Sequence, residues 1–175
     1  MAKPVRFTPE MFAHYEKVGY WTRETLADFW DKNAAQYPDC EALVDARRRL
    51  TWAQAKKWID RIALSLLERG FKKDDMLVVQ LPNCVEVVLL RVAAEKASLL
   101  CAPVLRTFRH KEMEYILGRT EAAGVVIPWR YRDFDYFQML QAIRPNLPKL
   151  KYIISVWDEI PEGTIPLRDM VEEPI

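Results

Sequence analysis

The chain has 175 residues, of which 50% are hydrophobic and 29% are charged, a composition typical of one folded globular domain. Its 26 lysine and arginine residues nearly balance 25 aspartate and glutamate residues, so a net charge of +1 excludes a general attraction for nucleic acid or anionic membranes. Three widely spaced cysteines, Cys40, Cys84 and Cys101, fit neither a disulfide framework nor a zinc site. The composition therefore predicts a reduced, cytoplasmic domain without a metal centre.

Two helices are predicted near the beginning of the chain. The pair Thr8-Pro9 has the pattern of an N-cap and a first helical residue, and the helix that it opens continues to about Lys17. A second helix is predicted from about Glu24 to Gln36. No apolar signal-peptide core precedes them. We interpret residues 1–40 as a helical leader that packs on an α/β subdomain formed by residues 41–175.

A β-hairpin and a long helix follow the leader. The segments EALVD and RRLT read as short strands, and Arg47–Arg49 in the turn between them is interpreted as a solvated charged tip. Thr51 and Gln54 form a capping-box pattern at the start of the helix, and Gly70 fits the position just after its end.

Strands then alternate with helices. The stretch MLVVQLPNCVEVVLLRVAAEKASLLCAPV, from Met76 to Val104, is nearly all apolar, but its proline and its four charges exclude a membrane span. It divides into a strand, a helix and a second strand, and the pattern continues to Val156. The predicted strands are Met76–Leu81, Leu99–Val104, Gly124–Pro128 and Tyr152–Val156, and the predicted helices are Val85–Ala97, His110–Leu117 and Phe134–Arg144. Continuous apolar strands of this kind predict a doubly wound α/β fold, with a mostly parallel sheet and helices on both faces.

Ligands in such folds bind beyond the carboxyl ends of the strands, which directs attention to three residues. Asn83 is predicted to cap the following helix together with Glu86, and the helix start could also hold an anion. Arg106 and Arg109 follow the next strand and could bind a substrate phosphate, although solvated cations or partners of carboxylates are the alternative. Asn83, Arg106 and Arg109 are the ligand-adjacent candidates. No catalytic residue is predicted, because the chain has no dinucleotide fingerprint, P-loop, zinc-protease motif or nucleophile elbow.

The quoted patterns resemble the opening of the adenylate-forming superfamily, the AMP-dependent acyl-CoA synthetases and ligases. Leu50–Ala55 matches its LTY-x-E-L segment, and Pro82-Asn83 matches its strand ending in PN. Lys96–Pro103 matches the LGA-x-x-x-P-x-x-P segment loosely, with Ala97 in place of the glycine. The leader Phe7–Asp39 is similar to that of dihydroxybenzoate-AMP ligases and cyclohexanecarboxylate-CoA ligase.

The resemblance implies an enzyme that joins a carboxylate to ATP, with Mg²⁺, and passes the acyl group to CoA. It also implies that the phosphate-binding loop, the nucleotide-gripping motifs, the hinge and the catalytic lysine lie downstream of this chain. We therefore expect an N-terminal fragment of a ligase that is inactive alone, binds no cofactor and meets the carboxylate through the missing part. Apolar surface that the missing part would cover predicts self-association.

Two alternatives remain open at the level of the sequence. The chain could be a standalone α/β binding or interaction domain without catalysis. A flavodoxin-like redox or nucleotide-binding domain is disfavoured, because the first strand-to-helix turn lacks the Ser, Thr and Gly donors that would hold a phosphate.

Overall fold

A computed structural model describes residues 7–157 and 159–172. The parts of the predicted leader and subdomain at residues 1–6, 158 and 173–175 lie outside the described residues. In the described part the α-helices are α1 Pro9–Lys17, α2 Leu26–Gln36, α3 Trp52–Glu68, α4 Val85–Lys96, α5 His110–Arg119, α6 Tyr136–Ile143 and α7 Leu167–Glu172. The strands are β1 Glu41–Val44, β2 Arg49–Thr51, β3 Met76–Val79, β4 Leu100–Pro103, β5 Gly124–Pro128, β6 Arg130–Tyr131, β7 Phe134–Asp135, β8 Tyr152–Val156 and β9 Ile165–Pro166.

A five-stranded parallel sheet forms the centre of the molecule, in the order β4-β3-β5-β8-β9. The three inner strands, β3, β5 and β8, are buried on both faces, so successive side chains of one strand enter different cores. Leu77 and Val79 pack with α3, α4 and α7 on one face, whereas Val78 packs with α5 and α6 on the other. This arrangement confirms the predicted doubly wound α/β fold and explains why the strands read as unbroken apolar runs.

The hairpin and the long helix form as predicted. β1 and β2 pair antiparallel, and the Asp45 N–H donates to the Arg48 carbonyl across the turn at 3.0 Å. Thr51 and Gln54 form the reciprocal capping box of α3. Gly70 takes a positive φ of 93° just after the helix, a conformation that side chains with a Cβ disfavour.

The two leader helices differ in how they contact the rest of the domain. α2 lies against α3 and α4: the Ala27 N–H donates to Glu95, and Asp31 accepts from Lys96 at 2.8 Å. No described residue of α1 is buried. The α1 region instead gathers exposed aromatic side chains about Trp21, among them Phe12, whose ring lies 5.0 Å away.

Several predicted bounds were wrong for local reasons. β3 ends at Val79 rather than Leu81, and among the described residues only the N–H of Gln80 continues its pairing, by donating to the Val126 carbonyl of β5. α5 continues through Gly118 to Arg119, since that glycine keeps a helical conformation. α6 begins at Tyr136, after the small β6–β7 hairpin that was not predicted, and Pro145 continues it as a 3₁₀ turn over Arg144–Asn146. β9 and α7 were not predicted either.

A helix that spans a bilayer needs about 20 consecutive, predominantly apolar residues. Throughout residues 7–157 and 159–172, every helix is too short or too polar to span a membrane.

Candidate functional site

The topology creates a crevice at the carboxyl edge of the sheet. After β3 the chain enters α4, which packs on one face, whereas after β5 it leads to α6 on the other face. The loops after β3 and β5 therefore diverge, and ligands of doubly wound folds bind at such a switch point. A cavity of about 660 Å³ lies there. It is lined by residues at or beyond the ends of β3, β4 and β5, including Pro82, Asn83, Pro103, Arg106, Tyr131 and Arg132.

Asn83 lies on this cavity but does not cap α4, so the predicted cap was wrong. The N-cap residue is Cys84, and the first helical N–H, that of Val85, donates to the Asp45 carboxylate from the β1–β2 turn at 2.9 Å. Within the described part of the chain the Asn83 side chain has no hydrogen bond, and it is exposed to the cavity. Its amide is therefore available to a ligand.

Glu86, the predicted capping partner of Asn83, is buried in an ion pair instead. Its side chain is 2% exposed, and Arg48 Nε lies 3.2 Å from its carboxylate. The Arg48 guanidinium also lies over the Trp58 ring at 4.9 Å. The interpretation of the arginine run as a solvated tip was therefore wrong for Arg48, which joins the hairpin turn to α4.

Arg106 enters the same cavity from the segment after β4. It is half-buried, its guanidinium lies 5.8 Å from the centre of the Tyr131 ring, and no described carboxylate forms an ion pair with it. Arg132, which also lines the cavity, lies 5.6 Å from the centre of the same ring. A half-buried guanidinium without a carboxylate is well suited to bind an anionic ligand.

Arg109, the third sequence candidate, lies behind the cavity rather than on it. Its guanidinium donates to the carbonyls of Arg106 at 2.9 Å and Phe108 at 3.0 Å, and it lies 3.8 Å from the centre of the Phe134 ring. The structure thus brings Asn83 and Arg106 to one cavity and uses Arg109 to support the segment that carries Arg106.

Sequence reasoning missed the buried groups that hold this segment. Gln80, fully buried after β3, donates through its side-chain amide to the carbonyls of Leu105 and Phe108. The Tyr136 hydroxyl donates to the Arg106 carbonyl at 2.9 Å. The sequence does carry one signal for these contacts: Gln80 interrupts the apolar run VVQLP. A side-chain amide at the end of a buried strand needs hydrogen-bond partners, which would have predicted a contact with another segment.

The cysteines near the crevice are not placed as nucleophiles. Burial, reinforced by the carboxylate of Glu86, raises the pKa of Cys84 to about 12. Burial also raises the pKa of Cys101, against the lowering effect of Arg91. Both are therefore protonated thiols near neutral pH. In the ranges that the structure describes, no group of three or more His, Cys, Asp or Glu side chains is arranged to hold a metal ion.

The fold and the crevice define a doubly wound α/β domain, and comparison with known proteins gives its family. The model of the AMP-binding enzyme family matches residues 30–172. The chain belongs to this family, as the LTY-x-E-L and PN segments indicated.

Curated relatives carry ligase names. The chain is 32% identical over 172 residues to 2,3-dihydroxybenzoate-AMP ligase of Bacillus subtilis, covering 97% of this chain and 32% of that protein. It is also 32% identical over 162 residues to a mitochondrial medium-chain acyl-CoA ligase of Mus musculus, covering 84% of this chain and 26% of that protein. The chain thus spans about a third or less of the length of these relatives.

Solved structures show the same fold. The apo structure of MbtA from Mycobacterium smegmatis superposes with a TM-score of 0.82 at 22% identity, over 95% of this chain and 30% of that chain.

Proposed function

We propose that this chain is the N-terminal part of an ATP-dependent carboxylate–CoA ligase, which forms an acyl-adenylate and then an acyl-CoA thioester. The observation that carries the proposal is the family match over residues 30–172, together with relatives that are about three to four times as long and are named as ligases. The parent enzyme uses ATP, Mg²⁺ and CoA, acts on a small-molecule carboxylate and resides in the cytoplasm.

In this proposal the chain contributes one wall of the ligand site. At the edge of one cavity, Asn83 offers an amide and Arg106 offers a guanidinium, and neither has a side-chain hydrogen-bond or ion-pair partner among the described residues. Together they favour an anionic group of a substrate, and Arg109 assists by fixing the carbonyls beside Arg106.

The residues that the structure describes do not supply the groups that adenylation needs. Transfer to the α-phosphate of ATP requires cations and backbone donors around the developing charge, usually with Mg²⁺. The described residues provide no metal-ligand cluster, so we assign no Mg²⁺ ligand to them and derive no step through that ion. The 175-residue chain alone is therefore expected to be inactive and to hold no cofactor.

Pyrophosphate release tests the proposal. The 175-residue chain and the longest native protein that contains it are each incubated with ATP, Mg²⁺ and a panel of aryl and medium-chain carboxylates, with and without CoA. We expect carboxylate-dependent pyrophosphate and an acyl-CoA product from the longer protein, and neither from the chain. Release by the chain alone would contradict the fragment assignment. A longer protein that is inactive on every carboxylate would favour the binding-domain alternative.

A further inference from the structure

We propose that Gln80 and Tyr136 are positioning residues that hold the backbone of Leu105–Phe108 so that Arg106 faces the cavity. This inference rests on the proposed function, because it gives a role to side chains that act through the Arg106 anion site. Neither residue lines the cavity itself. Both are buried, with exposed fractions of 0% for Gln80 and 1% for Tyr136.

Gln80 ties the Arg106 segment to the central sheet. Its backbone N–H donates to the Val126 carbonyl of β5 at 2.9 Å, which continues the sheet ladder by one residue. Its side-chain Nε2 donates to the Leu105 carbonyl at 3.2 Å and to the Phe108 carbonyl at 3.0 Å. Since both partners are acceptors, the amide can face them only with its nitrogen. One side chain thus holds the segment on either side of Arg106.

Tyr136 contacts the Leu105–Phe108 segment from the core that α5 and α6 form on one face of the sheet. As the first residue of α6, it donates its backbone N–H to the Trp129 carbonyl at 2.9 Å. Its hydroxyl donates to the Arg106 carbonyl at 2.9 Å, and its ring packs edge-to-face on Phe134 at 4.9 Å. The Arg106 carbonyl accepts from Arg109 as well, so this backbone unit is fixed from two directions.

The arrangement is poorly explained by stability alone. Gln80 Oε1 is buried and has no hydrogen-bond partner among the described residues. An unpaired buried acceptor opposes folding, and an apolar side chain at this position would avoid that cost. The glutamine instead fixes the positions of the Leu105 and Phe108 carbonyls, and therefore the position of Arg106, which lies between them in the chain. A pre-placed guanidinium loses less conformational freedom when it binds an anion.

The decisive variant is Tyr136→Phe, which removes one hydroxyl and leaves the ring. Its matched control is Tyr152→Phe, because the Tyr152 hydroxyl likewise donates to an arginine carbonyl, that of Arg69, at 2.6 Å. Tyr152 begins β8 and so lies at the opposite edge of the sheet. Two properties of the 175-residue chain are measured: amide hydrogen exchange of residues 104–109, and affinity for inorganic pyrophosphate by calorimetry.

We expect Tyr136→Phe to speed exchange in residues 104–109 and to weaken pyrophosphate binding about fivefold, the effect of losing one ordinary hydrogen bond. Tyr152→Phe should change neither property. In an Arg106→Gln background, Tyr136→Phe should cause no further loss of affinity, because the residue through which it acts is gone. Gln80→Met should repeat this pattern.

Two results would overturn the inference: Tyr136→Phe behaving like the control in both measurements, or an equal loss of affinity with and without Arg106. Failure of the proposed anion site has a different signature. In that case the unmodified chain and Arg106→Gln bind pyrophosphate equally, and hydrogen exchange alone then decides whether the two side chains hold the segment.

Discussion

Asp45 caps a helix that begins 40 residues later: its Oδ2 accepts the backbone N–H of Val85 at 2.9 Å. Its Oδ1 also accepts the N–H groups of Arg47 and Arg48, both at 2.8 Å, which closes the hairpin turn. One carboxylate therefore fixes both the β1–β2 turn and the start of α4. Because Asp45 supplies the cap, Asn83 at the same loop stays free for the cavity.

Replacing this carboxylate should destabilise the domain. We expect Asp45→Ala to lower the free energy of unfolding by about 1 to 2 kcal/mol, the usual cost of losing a helix cap. Urea unfolding followed by circular dichroism measures this change. Asp133→Ala is the matched control, since Asp133 is exposed and has no ion pair or hydrogen bond among the described residues. An equal effect of both variants would contradict the capping role.

The same contact should make stability depend on pH. Burial tends to raise the pKa of Asp45, but hydrogen bonds from the N–H groups of Val85, Arg47 and Arg48 outweigh it, so the folded-state pKa is lowered. A lowered carboxyl pKa stabilises the fold above the unfolded pKa of about 3.9, and this contribution is lost as the pH falls through the folded pKa. As the pH falls from about 5 to below the folded pKa, the unmodified chain should therefore lose more unfolding free energy than Asp45→Asn. Parallel losses in the two proteins would show that Asp45 is not linked to folding.

The buried ion pair of Arg48 and Glu86 gives a prediction with a built-in control. Arg48→Leu leaves the Glu86 carboxylate buried without its partner, and we expect a loss of about 3 kcal/mol, near the lower end for buried pairs because Arg48 is 34% exposed. Adding Glu86→Leu should recover most of that loss, since two apolar side chains need no pairing. Chemical unfolding of the two single variants and the double variant measures the coupling. Additive losses would show that the two side chains do not interact energetically.

Thiol reactivity should separate the three cysteines. Cys40 is exposed, whereas burial raises the pKa of Cys84 to about 12 and raises that of Cys101. Iodoacetamide reacts with the thiolate, so at mildly alkaline pH it should label Cys40 first in the folded chain. In urea all three should react at similar rates. Peptide mass mapping measures the order in which the three cysteines are labelled. Early labelling of Cys84 would contradict its buried position.

The exposed aromatic surface of the α1 region should cause self-association. Phe7, Phe12 and Tyr20 are 45%, 44% and 77% exposed, and exposed apolar patches of this kind favour association. We expect the solution mass from light scattering to rise with protein concentration, and Phe12→Ser with Tyr20→Ser to reduce that rise. Tyr115→Ser is the control, since Tyr115 is 68% exposed on α5, away from this surface. A constant monomer mass at all concentrations would contradict the prediction.

Local patterns predicted most of the fold. The capping box of Thr51 and Gln54, the stop at Gly70 and the buried strands were readable because each depends on residues adjacent in the chain. The cap on α4 was not, because Asp45 arrives from another segment and no spacing rule links it to Val85. The two-residue strands β6, β7 and β9 are too short for any periodic pattern.

The candidate site could be predicted only in part for the same reason. Strand ends indicated Asn83 and Arg106, which do meet at one cavity. The sequence did not separate Arg106 from Arg109, since both follow β4. Arg109 is held away from the cavity by the Phe134 ring and by its bonds to two backbone carbonyls, contacts that form only in the folded chain. Whether Asn83 or Arg106 contacts a ligand stays a prediction.

The central claim is that this chain forms one part of a larger acyl-activating ligase, and the size of the native protein tests it most directly. An antibody raised against the chain is used to immunoblot a lysate of the source cells. Because the chain covers 32% of 2,3-dihydroxybenzoate-AMP ligase of Bacillus subtilis, we predict a band at roughly three times 20.6 kDa. A single band at 20.6 kDa would contradict the claim and make a standalone binding domain the better account.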